Sequence, residues 1–330
     1  MVPGISALPL RHGNALSVTR NGLVVLAKRE TSGDDAGGLV AHVRLARRSA
    51  YKSGGGSHCE PERSFTCEHL AVMVPEAGTH STPHVSFHCT KSPLPQGSFV
   101  RLSQQIYIAS PELSFLQACA EMPFYQAILY GCALCGTFAL DSELKSGTAP
   151  RPTLTSRKKL ERFVGQCAGL PGARVAAKAL RYVCDGSASP RESKSALLLG
   201  LPLCHGGYGL PSFELNPELA IPPKLQKMAG RKTFRIDCLW RDQRVALEYD
   251  SDAGHLASSE RCDDSTKRAA LREMGYSAFE LTKLQVDSRP LMDATVDSLR
   301  RLLGVRKPQR LPKGYLQKQR ELRRQLDLPL

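Results

Sequence analysis

"RIDCLWRDQRVALEYDSD", residues 235–252, alternates apolar and polar side chains on both sides of a short polar break. That is the pattern of two strands joined by a tight turn. In the second strand Val245, Leu247 and Tyr249 point one way, and Ala246, Glu248 and Asp250 the other. In the first, Phe234, Ile236 and Cys238 share a face, leaving Arg235 and Asp237 on the reverse. With "RDQ" as the turn, antiparallel pairing brings Asp237 and Glu248 to the same side. Neighbouring carboxylates repel and raise each other's pKa unless a cation joins them. A hard divalent ion takes such ligands, one or two carboxylates with water and a substrate phosphate completing its shell. The alternative is a solvated hairpin face whose acids meet Arg235 and Arg244. Spacing alone leaves both open.

Outward from the hairpin the rhythm is that of an α/β domain with a mostly central sheet. "SASPRESKSALLLGL" is a capped helix from about residue 189, and "KTFRIDCLW" and "QRVALEYD" are strands. "SERCDDSTKRAALREMG" is a helix stopped by Gly275, "YSAFELT" a further strand, and a last helix covers about 290–303. An extra strand fits around 212–220. Towards the N-terminus "HVSFHC", "SFVRL" and "QQIYIAS" alternate like strands. Ser110 and Pro111 open a helix, a second covers 123–135, and "TSRKKLERFVGQCAG" and "GARVAAKALRYVCDG" supply two more. The expected organisation is a smaller α+β domain over 1–185, an α/β domain over 186–305 and a basic tail over 306–330. Residues 1–80 carry little pattern, apart from a flexible break at "SGGG".

The 330 residues suffice for two cores, and the longest apolar runs, "GLVVLA" and "ALLLGLPLC", are too short to cross a bilayer. No leader is expected, since Pro3 follows the start and no basic-then-apolar segment opens the chain. Eleven scattered cysteines, an odd number, fit reduced thiols in the cytoplasm. The net charge of +14 is uneven: +7 over 1–185, +1 over 186–305 and +6 over the last 25 residues. Basic flanks around a near-neutral centre suit a polyanionic partner such as nucleic acid, or a surface that merely aids solubility.

An Asp ending one strand, a Glu about ten residues on in the next, and a polar group two residues later resemble the PD-(D/E)XK nuclease pattern. The likeness is greatest to the branch similar to the very-short-patch mismatch-repair endonuclease. It rests on "RIDCLW", "ALEYDSD", His255, "DDSTKRAALREMG" and "YSAFELT" in order, and spans 189–283. The resemblance implies a restriction-endonuclease-like mixed sheet flanked by helices. It also implies a Mg²⁺ (or Mn²⁺) site on Asp237 and Glu248, and DNA as substrate. Its "S-x-x-E" helix opening carries an assisting role onto Glu192, which is also a plain capping-box acid behind Ser189. The family's lysine is replaced by Asp250, an acid that is usual in this branch, and the glycine after it is absent. His255 is placed as a general base or phosphate contact, or as an idle loop residue. Lys267 or Arg268, on the next helix, reach for the phosphate or face solvent. Residues 98–121, "SFVRLSQQIYIASPELSFLQACAE", resemble the region preceding such domains in proteins related to abortive-infection antitoxins.

Other constellations are weaker. "CALC" (132–135) has knuckle spacing but sits in an apolar helix, where buried packing is favoured. His58, Cys59, Cys67 and His69 match no metal spacing. "LGLPLCHGGYGLP" lacks the lysine and hydroxyl of a phosphate loop and reads as a structural bend. The expectation is a Mg²⁺-dependent endonuclease acting on DNA, with no membrane association and no small-molecule cofactor. Its rival is a nuclease fold kept for DNA or protein binding without chemistry. Oligomeric state is open.

Overall fold

A computed structural model describes residues 24–26, 70–74, 85–89, 92–101, 107–140, 144, 147–250 and 258–329; residues 24–26, 70–74, 85–89, 101, 107, 250 and 258–264 are described by backbone alone. The chain mixes helices with small mixed sheets, an α/β composition. It divides into two compact units. One comprises Met1–Tyr130, Ala139–Ala149 and Leu154–Arg181, the other Gly131–Phe138, Pro150–Thr153 and Tyr182–Leu330.

In the first unit β1 (Val24–Leu26), β2 (Leu70–Val74) and β3 (Val85–Cys89) form a parallel sheet in that order. A hairpin of β4 (Phe99–Arg101) and β5 (Tyr107–Ala109) follows. Ser110 then caps α1 (Pro111–Glu121), its hydroxyl accepting the Leu113 amide at 3.2 Å. The chain continues through α2 (Phe124–Cys135), β6 (Phe138–Leu140), β7 (Thr148–Pro150), α3 (Arg157–Gly165) and α4 (Ala173–Ala179). Helices α3 and α4 pack on α1. The segment 172–186, expected as one helix, is helical only over α4; a shorter turn carries it onward.

The second unit runs α5 (Pro190–Gly200), a 3₁₀ turn (Leu203–His205), β8 (Glu214–Leu215), β9 (Glu218–Ala220), α6 (Pro223–Ala229), β10 (Thr233–Arg235), β11 (Cys238–Trp240) and β12 (Val245–Asp250). It ends with α7 (Ser258–Glu273), β13 (Ser277–Thr282), α8 (Lys283–Asp287), α9 (Arg289–Leu302) and α10 (Tyr315–Gln325). The central sheet has order β13-β12-β11-β8, with β12 and β13 parallel and the other pairs antiparallel. Both faces of β12 are covered. On one, Ala246 joins Leu219, Ile221, Ala229, Phe234, Ile236, Leu239 and the α7 residues Ala270 and Leu271. On the other, Trp240 lies against Phe213 at 4.9 Å and donates from Nε1 to the Pro211 carbonyl at 3.0 Å.

"KTFRIDCLW" is not one strand. Its first half pairs with β9 and its second with β12 and β8. The change of partner at Ile236–Asp237 slips the alternation by one residue. Leu239, not Cys238, therefore shares a face with Phe234 and Ile236. A bulge-like break has this effect because side-chain orientation follows a strict period of two.

Residues 306–329 are built into the second unit. Arg323 of α10 is only 1% exposed and donates to the carbonyls of Val286, Asp287 and Pro329. Leu322 and Leu326 are buried beside it, and Lys194 of α5 reaches the Asp327 carbonyl at 3.3 Å. The glycine-rich bend returns the chain along α5: the amides of Tyr208, Gly209 and Leu210 donate to the carbonyls of Leu198, Leu201 and Leu199. Gly206, at φ +82°, touches α10 so closely that a Cβ would lie 2.5 Å from the Gln319 nitrogen. Gly206→Ala therefore combines left-handed strain with a backbone clash and is expected to cost more than about 2 kcal/mol. Urea unfolding checks this; an unchanged midpoint would mean that α10 does not press on the bend.

Candidate functional site

The site lies where β11 begins and β12 ends. Their register pairs Cys238 with Leu247 and Leu239 with Ala246, so the next rung sets Asp237 opposite Glu248. That rung is closed by a side chain: Asp237 Oδ2 accepts the Tyr249 amide at 2.7 Å. Alternation puts Asp237, Leu239, Ala246 and Glu248 on one face, the face covered by α7. Ala270 and Leu271 pack into it, and Lys267, one turn earlier, follows the same stripe. Its ammonium stands 2.8 Å from Glu248 Oε2 and donates to the Arg235 carbonyl, also at 2.8 Å.

Glu192 enters from the first turn of α5. Ser189 caps that helix, accepting the Glu192 amide at 3.2 Å, while its hydroxyl donates to Glu192 Oε1 at 3.0 Å. Glu192 Oε2 accepts the Ala188 amide at 2.8 Å and the Asn216 side-chain amide at 2.5 Å. Asn216 takes the left-handed conformation, φ 52°, and its backbone N–H donates to the Asp237 carbonyl at 3.1 Å. It thereby ties the α5 acid to the strand bearing the site. Burial pushes the Asp237 carboxyl above its ordinary range. The Tyr249 amide opposes that shift, the Glu192 charge adds to it, and Lys267 and Arg235 oppose it. The thiol of the buried neighbour Cys238 is driven far up, by burial first and then by the charges of Asp237, Glu192 and others including Glu248.

Four of the expected residues thus converge: Asp237, Glu248, Lys267 and Glu192. The fifth and sixth, the Asp250 side chain and His255, lie outside the described residues, as do His58, Cys59, Cys67 and His69. Arg268 turns to Glu280, which stands beside Glu248 in the β12–β13 register. Consecutive bases of α7 therefore cover acids on neighbouring strands. Arg244, which the solvated-face alternative sets against the acids, donates to the Met274 carbonyl at 3.3 Å. Asn216 and Glu280 were not singled out in the sequence. An Asn two residues before a short strand looks like ordinary turn chemistry, and Glu280 is one of many surface acids. The "CALC" cysteines are fully buried, and Cys132 Sγ accepts the Cys184 amide at 3.3 Å, as packed core residues do.

The donor set fits a small hard cation that keeps most of its water, because two carboxylates from neighbouring strands are what such an ion asks of a protein. It does not fit a caged ion: among the described residues no three His, Cys, Asp or Glu side chains cluster as metal ligands. Among the described residues, too, no helix is long and apolar enough to cross a membrane.

The chain is 32% identical over 146 residues to uncharacterized proteins from two strains of Mycobacterium tuberculosis, CDC 1551 and H37Rv, an alignment covering 43% of this chain and 48% of each relative. It thus spans about half the length of the curated relatives it matches. No family model and no solved structure matches.

Two outcomes follow from this geometry. Because burial raises Asp237 above its unfolded value, ionising it opposes folding as pH climbs through the folded pKa. Asp237→Asn should therefore raise the melting temperature at neutral pH, with the gain fading as pH falls through the raised folded pKa towards the ordinary carboxylate value of about 3.9, below which none remains. Melting curves across that range check the sign. Asn216→Ala should cost about 1–2 kcal/mol more than Asn216→Gly, since both lose the Glu192 contact but only alanine strains the left-handed backbone.

Proposed function

We propose that residues 182–329 form a restriction-endonuclease-like domain of the PD-(D/E)XK superfamily, and that the chain is a Mg²⁺-dependent endonuclease hydrolysing DNA phosphodiester bonds in the cytoplasm. One observation carries the proposal: Asp237 and Glu248 end adjacent antiparallel strands on one face, with the Lys267 ammonium 2.8 Å from the Glu248 carboxylate. The order of elements around them, a capped acidic helix, an antiparallel strand pair, a basic helix and a parallel strand, is that of the resembled family. Asp237 and Glu248 would hold the metal. Mg²⁺, or Mn²⁺ in its place, would lower the pKa of a bound water and offset charge gathering on the phosphate.

Each remaining residue then has a physical task. Lys267 supplies a positive charge on the covered face of the strands, where Asp250 stands in the family's lysine position. Were Glu248 to hold a cation, the Lys267 ammonium would be available to a phosphate oxygen. Glu192, fixed by three donors, adds negative charge beside Asp237 and strengthens the call for a cation. Asp250 and His255 are assigned assisting roles, in orienting water or contacting phosphate.

The Glu248–Lys267 ion pair also favours a second reading. A carboxylate already neutralised by an internal ammonium suits a nuclease fold that binds DNA and has lost its chemistry, as in a regulator or antitoxin-like protein. Plasmid nicking with Mg²⁺ and with chelator separates the two. The enzyme is expected to nick only with metal, and Glu248→Gln and Lys267→Ala to lose at least about a hundredfold in rate. Salt-sensitive DNA binding without nicking establishes the regulator.

A further inference from the structure

We infer that the outer face of Pro222–Arg235 is a docking surface for the phosphate backbone of duplex DNA, leading into the Asp237–Glu248 pair. The inference rests on the reading of this unit as a DNA-acting fold and states where the substrate lies. Over residues 186–305 the charges nearly cancel, yet "KLQKMAGRKTFR" (224–235) holds five cations and no acid. The fold sorts this segment by face. Leu219, Ile221, Ala229, Phe234 and Ile236 are buried in the core against α7, with Leu225 packed partly onto it. Lys224, Lys227, Arg231, Lys232 and Arg235 are all exposed. Helix α6 turns Leu225 and Ala229 inward one turn apart, which leaves both its lysines outside. In β10 Phe234 points in, so Thr233 and Arg235 point out together.

The sole acid between Asn216 and Ile236 is Glu218, which pairs across the ladder with Arg235. Among the described residues no ion pair engages Lys224, Lys227 or Lys232, whereas those of this unit hold Lys194, Arg241, Lys267 and Arg268. Lys224, Lys227 and Lys232, exposed on a rigid apolar base and outside every ion pair among the described residues, are the kind of charge a polyanion recognises through counterion release, while Arg231 also lies over the Phe234 ring at 6.0 Å. The surface is joined to the site by backbone. The Arg235 carbonyl is held by Lys267, and Asp237 follows two residues later, about 7 Å of extended chain. That is roughly two nucleotide steps along one strand at ~3.4 Å each. The C-terminal helix is a poorer candidate, since Arg323 is buried on carbonyls, Arg324 pairs with Glu321 and Lys307 with Asp297.

Fluorescence anisotropy of a short labelled DNA duplex, titrated with the full chain at several salt concentrations, tests this. The triple variant Lys224→Gln, Lys227→Gln, Lys232→Gln should bind at least about tenfold more weakly at low salt. Its plot of log affinity against log salt should flatten by about two to three units. The α10-side variant Lys313→Gln, Lys318→Gln, Arg320→Gln should bind as the parent does. Circular dichroism confirms that each is folded. An unchanged slope in the first triple, a loss confined to the second, or a preference for an RNA duplex over DNA overturns the inference. If binding follows the first triple while the parent never nicks DNA with Mg²⁺, the surface stands and the hydrolase reading falls. If the parent nicks DNA but the first triple binds and nicks normally, the hydrolase stands and the surface falls.

Discussion

The acceptance of the Tyr249 amide by the Asp237 carboxylate is the contact on which the site depends. A strand that changes partners leaves backbone groups without a ladder, and a buried amide without an acceptor is costly. Here the acid takes that amide itself at 2.7 Å, while Asn216 caps the carbonyl of the same residue. One carboxylate thus ends the β11–β12 ladder, lets the preceding strand turn to β9, and remains buried beside Glu192 at an energetic cost. Folding alone gives little reason to keep an acid there. An asparagine would accept the same hydrogen bond without the charge.

Much of this was readable in the residues. The Ser110 and Ser189 caps, the α7 stop at Gly275 and the facing of Asp237 and Glu248 each follow from local chemistry that the fold does not override. The break inside "KTFRIDCLW" was not readable, because the alternation of Phe234, Ile236 and Cys238 continues a single strand through Asp237 and only the pairing with β9 divides it. Glu192 could be found as a cap or as a site acid; it is a cap in every hydrogen bond except that to Asn216, and it lies beside Asp237 as well. The position of Lys267 required the helix stripe set by Ala270 and Leu271, a tertiary fact that strand periodicity does not carry.

Charge counted by segment does not say where in the fold the cations lie. Summed over 186–305 it nearly vanishes, and summed over the last 25 residues it looks like a detached basic arm. In the fold, α10 turns part of that arm inward onto main-chain carbonyls, where Arg323 serves as a cross-link between segments 36 and 37 residues apart in sequence. Within the near-neutral segment, by contrast, five bases and no acid fall together over 224–235, on the exposed side of one short helix and strand. Net charge describes attraction at a distance, and only the fold says where it acts.

The close seat of Gly206 against α10 has a consequence for biosynthesis. The bend around Leu203–His205 has no α10 against it until the chain has been made past Gln319. A ribosome elongates at about 5–20 residues per second. Roughly a hundred residues therefore pass, over several seconds, between the emergence of the bend and that of the helix that covers it. During that interval the nascent domain is open along one side, so stalling or premature release in this window would leave a sticky intermediate for chaperones rather than a shortened but folded protein.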